Sequence, residues 1–317
     1  MTMKTGNIAL VTRLSPDAEA MWLEQLAAAM PSEEIRPFLA LSPEELAEIE
    51  IAVVANPDPA HLAQLTGLVW VQSLWAGVER LVAELGDFHP PIVRLVDPEL
   101  ARTMGEAVLA WVYYLFRDMP AYAAQQRAAQ WIQHPYRRPD RTTISLLGLG
   151  ELGSAAAARL RDAGFNVAGW SRSLKQMPGV ACRSGEYGLA ETLAASDILV
   201  CLLPLTAETR NLLDARRLAL LPRGAKLINF ARGPIIDMPV LIAALDRGDL
   251  GHAVLDVFDV EPLPADSPLW NHKGVTVLPH ISAATDPDTA TAIVAQNINT
   301  YRKRGTLPQS VELNRGY

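Results

Sequence analysis

The sequence is poor in the features that staple small secreted folds or hold metals. Only two cysteines, Cys182 and Cys201, occur in 317 residues. Two thiols cannot build a disulfide framework or a thiolate metal site, and their scarcity fits a reducing compartment. No His/Cys/Asp cluster has ligand spacing, so no metal is expected. No apolar run reaches the ~18 residues that a membrane span needs. Positive charge is not in excess either. The 28 basic residues stand against 35 acidic ones, for a net charge of −7, which implies no general affinity for nucleic acid or anionic membrane. The chain opens almost directly on a strand-like stretch, residues 8–12, rather than on a charged-then-apolar leader. These absences predict a cytoplasmic protein.

What is present reads as an α/β protein. Half of the residues are hydrophobic and one fifth are charged, as in globular proteins. Short apolar stretches at 8–12, 51–55, 68–74 and 93–96 alternate with helical stretches, which predicts a parallel sheet covered on both faces. A Ser15-Pro16 start marks the first helix. Residues 103–130 are mostly helical, with Val108, Leu109, Trp111, Val112, Leu115 and Phe116 on one apolar face and a kink or break at Pro120. That face serves either a core or a subunit contact. A second α/β unit follows, with strands expected at 144–147, 165–170, 198–203, 225–230, 252–257 and 275–278. A final helix at 287–302 would return the chain to the first unit.

The second unit starts with a strand, a glycine turn and a helix. Gly148, Gly150 and Gly153 stand at G-x-G-x-x-G spacing, with Glu151 and Leu152 between the last two. In a dinucleotide site the first glycine makes the tight turn and the second lets backbone approach a pyrophosphate. The third lets helix pack on strand, and the helix N-terminus faces the phosphates. The end of the next strand chooses the cofactor. An acid there bonds the ribose of NAD, and a base accommodates the 2′-phosphate of NADP. Here Ser171, Arg172 and Ser173 follow Trp170, and no Asp or Glu occurs between Asp162 and Glu186. A guanidinium suits phosphate. NADP(H) is therefore the preferred cofactor, with NAD(H) possible.

Three later motifs complete the pattern: INFARGP at 228–234, LDVFDVEPLP at 255–264 and VLPHISAA at 277–284. In this order after the glycine turn, the chain resembles the D-2-hydroxyacid dehydrogenase family over nearly its whole length. It looks closest to the glyoxylate/hydroxypyruvate reductases, through SLWAGVE (73–79), VRLVD (93–97), WSRS (170–173) and DSPLW (266–270).

The resemblance implies two Rossmann-like domains with parallel sheets. The cofactor domain, 104–283, is inserted into a flavodoxin-like substrate domain, 1–103 plus 284–317, with the active site in the cleft. It implies hydride transfer to C2 of a small 2-oxo acid, with His280 as proton donor, Glu261 orienting it and Arg232 binding the carboxylate and polarising the carbonyl. Trp75 would line the substrate pocket, and the N–H groups of Ala76 and Gly77 would hold the carboxylate. Further cofactor contacts carry over to Leu203, Pro204, Thr209, Phe230, Ala231, Asp256 (to the carboxamide) and Ala283, beside Arg232 and His280 themselves. A homodimer through the cofactor domain is also implied. His61, His89, His134, His252 and His272 lack comparable context and receive no role. Two other readings use the same residues: a reductase of larger aliphatic or aromatic 2-oxo acids, and a dinucleotide-sensing interaction module.

Overall fold

The computed structural model describes residues 7–86 and 90–312, so His89 lies outside it. The chain divides into two compact units, Met1–Glu99 with Thr285–Tyr317, and Leu100–Ala284. Each is an open parallel sheet flanked by helices, the expected fold class. Among the described residues no helix is long and apolar enough to cross a membrane.

The first unit contains β1 (Asn7–Thr12), β2 (Glu34–Pro37), β3 (Ile51–Ala55), β4 (Trp70–Ser73) and β5 (Ile92–Val93). Their order is β2-β1-β3-β4-β5, the flavodoxin-like arrangement with its switch point between β1 and β3. β3 is buried at every position, because helices cover both of its faces. The helix Pro16–Ala29 starts where Ser15 accepts the Ala18 N–H, with Pro16 in its first turn. The returning helix Pro287–Arg304 buries Ala290, Val294 and Ile298 against Trp22, Leu26 and Trp70. Its Asn297 donates to the buried Gln72 at 2.9 Å. Arg302 pairs with Glu33 and Glu50.

The second unit contains β6 (Thr143–Leu147), β7 (Asn166–Trp170), β8 (Val180–Arg183), β9 (Ile198–Cys201), β10 (Ala225–Asn229), β11 (Leu250–Leu255) and β12 (Val275–Val277). The order β12-β11-β10-β9-β6-β7-β8 reverses between β6 and β9, which puts the switch point beside the glycine turn. Strand alternation feeds two cores. Leu147, Leu199, Leu227 and Leu255 pack with the helix Met238–Asp246 side. Leu146, Val200, Ile228 and Val254 pack with the helices Pro98–Phe116 and Glu151–Asp162.

Several local expectations change. The helical stretch is two helices, Pro98–Phe116 and Met119–Arg127, broken where Asp118 takes φ 53°. Pro120 sits in the first turn of the second helix, where its missing N–H costs nothing. Val108, Val112, Leu115 and Phe116 are buried in the core. The aromatic exposure comes after the helices: Trp131 is 95% exposed and Tyr136 is 70% exposed. The strand read at 93–96 is only Ile92–Val93.

Candidate active site

The glycine turn follows β6 directly. Gly148 has φ 104°, and a Cβ on it would lie 2.7 Å from the Leu202 carbonyl oxygen. A Cβ on Gly153 would lie 1.9 Å from the Gly148 carbonyl oxygen, so the helix can seat against the turn only without one. Gly150 is different, because a Cβ there would meet no atom within 4 Å. The space beside it is open to a ligand. The helix Glu151–Asp162 is capped by Gly150 without a side-chain bond. The N–H groups of its first turn lack intrahelical acceptors and form an anion cradle. An open cradle and a glycine that leaves it clear fit a dinucleotide pyrophosphate.

β7 ends beside this turn. Ser171 is buried and its hydroxyl donates to the Ser173 carbonyl at 2.8 Å. That bond curls the loop and leaves Arg172 and Ser173 on its exposed side. After β9, Leu203 is buried and Thr209 braces the loop. The Thr209 hydroxyl accepts the Thr206 N–H at 2.7 Å and donates to the Pro204 carbonyl at 2.7 Å.

Three neighbouring strands, β10, β11 and β12, lead into the loops that carry Arg232, Glu261 and His280. β10 ends at Asn229, a fully buried residue that shapes the loop. Its Oδ1 accepts the Ala231 N–H at 3.1 Å and its Nδ2 donates to the Arg232 carbonyl at 3.0 Å. Phe230 and Ala231 are buried, and Arg232 donates through Nη1 to the Ala231 carbonyl at 2.7 Å. A Cβ on Gly233 would lie 2.2 Å from the Phe258 backbone. Gly233 therefore lets the loop after β10 touch the loop after β11, which carries Glu261.

Glu261 Oε1 accepts the Phe258 N–H at 2.8 Å, and Oε2 meets His280 Nδ1 at 2.8 Å. Asp256, wholly buried at the end of β11, anchors the His280 loop. Its carbonyl accepts the His280 N–H at 3.0 Å. Its two carboxylate oxygens accept the N–H groups of Ile281 and Ser282 at 2.7 and 2.8 Å. His280 is held at φ 54°, a left-handed conformation that a non-glycine residue keeps only when its surroundings fix it. Ala283, on the same loop, is half-buried against the core.

The electrostatics suit proton transfer. The Glu261 bond raises the His280 pKa above its ordinary value, against the effect of burial and of the Arg232 charge. Burial works against the Glu261 carboxylate, but the bonds from His280 and Phe258 outweigh it and hold its pKa down. The pair favours imidazolium and carboxylate together, with Arg232 adding positive charge beside them. Nδ1 is held by Glu261, which leaves Nε2 as the nitrogen able to exchange a proton with a bound oxygen.

Comparison with known proteins identifies the family and its relatives. The family described as "D-isomer specific 2-hydroxyacid dehydrogenase, NAD binding domain" matches residues 109–282. The chain belongs to the D-isomer specific 2-hydroxyacid dehydrogenase family. A glyoxylate/hydroxypyruvate reductase A from Klebsiella pneumoniae (strain 342) is 35% identical over 303 residues, covering 93% of this chain and 96% of that one. A D-isomer specific 2-hydroxyacid dehydrogenase from Xanthobacter autotrophicus Py2, crystallised with NADPH and MES, is 40% identical. It superposes with a TM-score of 0.90 over 99% of this chain and 100% of that one. An NADPH-dependent glyoxylate/hydroxypyruvate reductase from Sinorhizobium meliloti, crystallised with NADP and sulfate, is 31% identical, with a TM-score of 0.90 over 98% and 100% of the two chains.

In this dehydrogenase Arg232, Glu261 and His280 gather in the second unit, while Trp75, Ala76 and Gly77 belong to the first. There Trp75 follows β4, its N–H bonded to Ser73 Oγ at 2.9 Å and its ring edge-on to Trp22 at 5.8 Å. Trp75 and Gly77 line a recess of about 30 Å³ together with Arg13, Arg80 and Glu84. The structure also adds residues that the sequence reading left without a role. Asn229 and Gly233 position the Arg232 loop, and their signals are a polar residue ending an apolar strand and a glycine straight after an arginine. The remaining described histidines have structural partners. His252 bonds Thr276 at 2.9 Å, and burial with the nearby Lys226 charge pushes its pKa down to about 4. His61 stacks on Phe38, His134 bonds Gln125 and His272 accepts the Gly274 N–H.

Proposed function

We propose that this dehydrogenase reduces glyoxylate and hydroxypyruvate with NADPH, giving glycolate and D-glycerate. The observation that carries the reading is the His280–Glu261 pair at 2.8 Å, with Arg232 on the loop that Gly233 seats against it. When bound, NADPH supplies the hydride for C2. Gly148, Gly150 and Gly153 with the N–H groups of Glu151 and Leu152 would cradle its pyrophosphate. Arg172, with Ser171 and Ser173, would take the 2′-phosphate. Leu203, Pro204, Thr209, Phe230, Ala231 and Ala283 would line the remainder. Each Asp256 oxygen keeps a lone pair able to accept the carboxamide N–H.

Arg232 binds the substrate carboxylate and draws electron density toward the C2 oxygen. The Ala76 and Gly77 N–H groups share the carboxylate, and Trp75 bounds the pocket. His280 gives its Nε2 proton to the C2 oxygen as charge develops there, and Glu261 holds the ring through Nδ1 and favours the protonated form. Arg232 and His280 thus act on the oxygen while the hydride adds to carbon.

A homodimer through the second unit accompanies this reading, supported by the exposed Trp131, Ile132 and Tyr136 just after its long helices. Sedimentation of the intact chain checks it, and a monomer would contradict it. Cytoplasmic residence is proposed on the two free thiols, Cys182 and Cys201.

The test is the initial rate of NADPH oxidation with glyoxylate, hydroxypyruvate and phenylpyruvate, repeated with NADH. Fast turnover of the two small acids with NADPH is expected. Equal rates with NADH would remove the phosphate role of Arg172. Turnover of phenylpyruvate alone would overturn the substrate assignment.

A further inference from the structure

The second sheet carries a charged, open recess at its opposite edge, among the first residues of β6, β9 and β10. It holds about 100 Å³ and is lined by Arg137, Thr142, Asp197, Arg223 and Lys226, with Phe116 as an apolar wall. The five residues of β6 separate it from the glycine turn, roughly 16 Å at the rise of a strand.

Each cation reaches the recess from a different segment. The Ala225 N–H is donated to the Pro222 carbonyl at 2.9 Å, and Gly224 takes φ 80°. This is the pattern of a type II turn, which needs glycine in its third position, and it leaves Arg223 exposed at the rim. Arg137 follows Tyr136, whose ring lies 5.8 Å from the Arg117 guanidinium. Lys226, near the start of β10, gives one N–H to the Leu115 carbonyl and one to Asp118. An ammonium has three, so one remains. Among the described residues neither Arg137 nor Arg223 has a hydrogen bond or an ion pair. The positive field is felt at Asp118. Burial would raise its carboxyl, but the Lys226 bond outweighs this, the Arg137 charge adds to it, and the pKa lies below the ordinary value.

Asp118 balances Lys226. Arg137 and Arg223 against Asp197 then leave one net positive charge, in a chain whose own net charge is −7. Asp197 uses Oδ2 to accept the Thr143 N–H at 2.8 Å and has a second oxygen to spare. These groups select a ligand. Guanidinium and ammonium only donate. A carboxylate offers them two oxygens in one plane, whereas a phosphate offers oxygens in tetrahedral directions and suits donors arriving from three segments. Asp197 repels a bare anion but accepts from an O–H. Inorganic phosphate near neutral pH keeps a P–O–H, and a hydroxylated phosphate ester brings its own. Sulfate has neither.

We propose that this recess is an anion site separate from the glycine turn. It binds inorganic phosphate or a small hydroxylated phosphate monoester through Arg137, Arg223 and Lys226, with Asp197 accepting the ligand O–H.

The test titrates inorganic phosphate, glycerol 2-phosphate and sulfate into the NADPH-saturated protein at constant ionic strength. With NADPH bound, the glycine turn is already filled. Backbone amide NMR shifts are followed at Thr143, Gly224 and Lys226. Saturable shifts at these amides are expected, with phosphate tighter than sulfate by about threefold or more. The tighter of phosphate and glycerol 2-phosphate identifies which form the recess takes. Arg137→Met and Arg223→Met, both at exposed positions, should each weaken phosphate about threefold and together about tenfold, the scale of exposed charge pairs. Melting temperature and NADPH affinity should hold. Asp197→Asn keeps an acceptor for Thr143 and should bring phosphate and sulfate to equal affinity. Shifts that do not saturate, shifts confined to the glycine turn and the Arg232 loop, or an affinity that the double variant leaves unchanged overturn the site. Equal affinity for phosphate and sulfate in the wild type overturns the Asp197 contact and the phosphate assignment with it. None of these outcomes depends on which 2-oxo acid the enzyme reduces.

Discussion

His280 combines a left-handed backbone, an anchored loop and a carboxylate on Nδ1. Its raised pKa has a direction that can be followed with pH. If the protonated ring is the donor, reduction should proceed at low and neutral pH and fall as pH rises through the raised value. Glu261→Gln removes the largest cause of the shift, so the alkaline limb should move down toward the ordinary imidazole value of ~6.5. A limb that does not move would detach Glu261 from the proton step. The same shift carries a stability term. His280 favours the folded state fully below the unfolded histidine pKa, and that contribution is lost as pH rises through the folded value. Glu261, held down, contributes above the unfolded carboxylate range and loses its contribution as pH falls through its own folded value. Motif order singles out Arg232, Glu261 and His280, and the structure brings Glu261 and His280 into contact. What holds them was not readable in the sequence. Asp256 reaches residues 25 and 26 positions away, and Arg13 reaches Glu84 across 71. No periodicity or spacing rule links such pairs before the strands are aligned.

At the scale of elements, the strand–turn–helix unit makes two glycines behave oppositely. Gly153→Ala should cost several kcal/mol or prevent folding, because its Cβ would overlap the Gly148 carbonyl. Gly150→Ala enters open space and should fold with a melting temperature near that of the wild type, while weakening NADPH binding by tenfold or more. Titration of both variants with NADPH, beside their thermal unfolding, checks the pair. Equal NADPH affinity in Gly150→Ala and wild type would remove the pyrophosphate from this turn. The long apolar strands and the capped helices were legible because period and caps agree there. The edge strands β2 (Glu34–Pro37) and β8 (Val180–Arg183) were not. They are four residues each, mix charge with apolar residues, and have no buried position. An edge strand needs no continuous apolar run because only one side of it pairs.

On the scale of the whole molecule, each of the two sheets has its own switch point. The second presents the open glycine turn and the Arg232, Glu261 and His280 loops on its C-terminal edge. The first presents the Trp75 turn and the Arg13–Glu84 pair on its own C-terminal edge. The alternation of strands and helices made both sheets legible from the sequence. The sheet orders followed only from the family resemblance, because strand neighbours are chosen by packing rather than by local pattern. In the proposed reaction a hydride moves from NADPH to C2 of a small 2-oxo acid. The decisive experiment is to determine the mass and chirality of the product formed from hydroxypyruvate with NADPH carrying deuterium at the transferable position of the nicotinamide. D-glycerate heavier by one deuterium, carried at C2, is the expected product. Product without the label, the L isomer, or no product from either hydroxypyruvate or glyoxylate would contradict it.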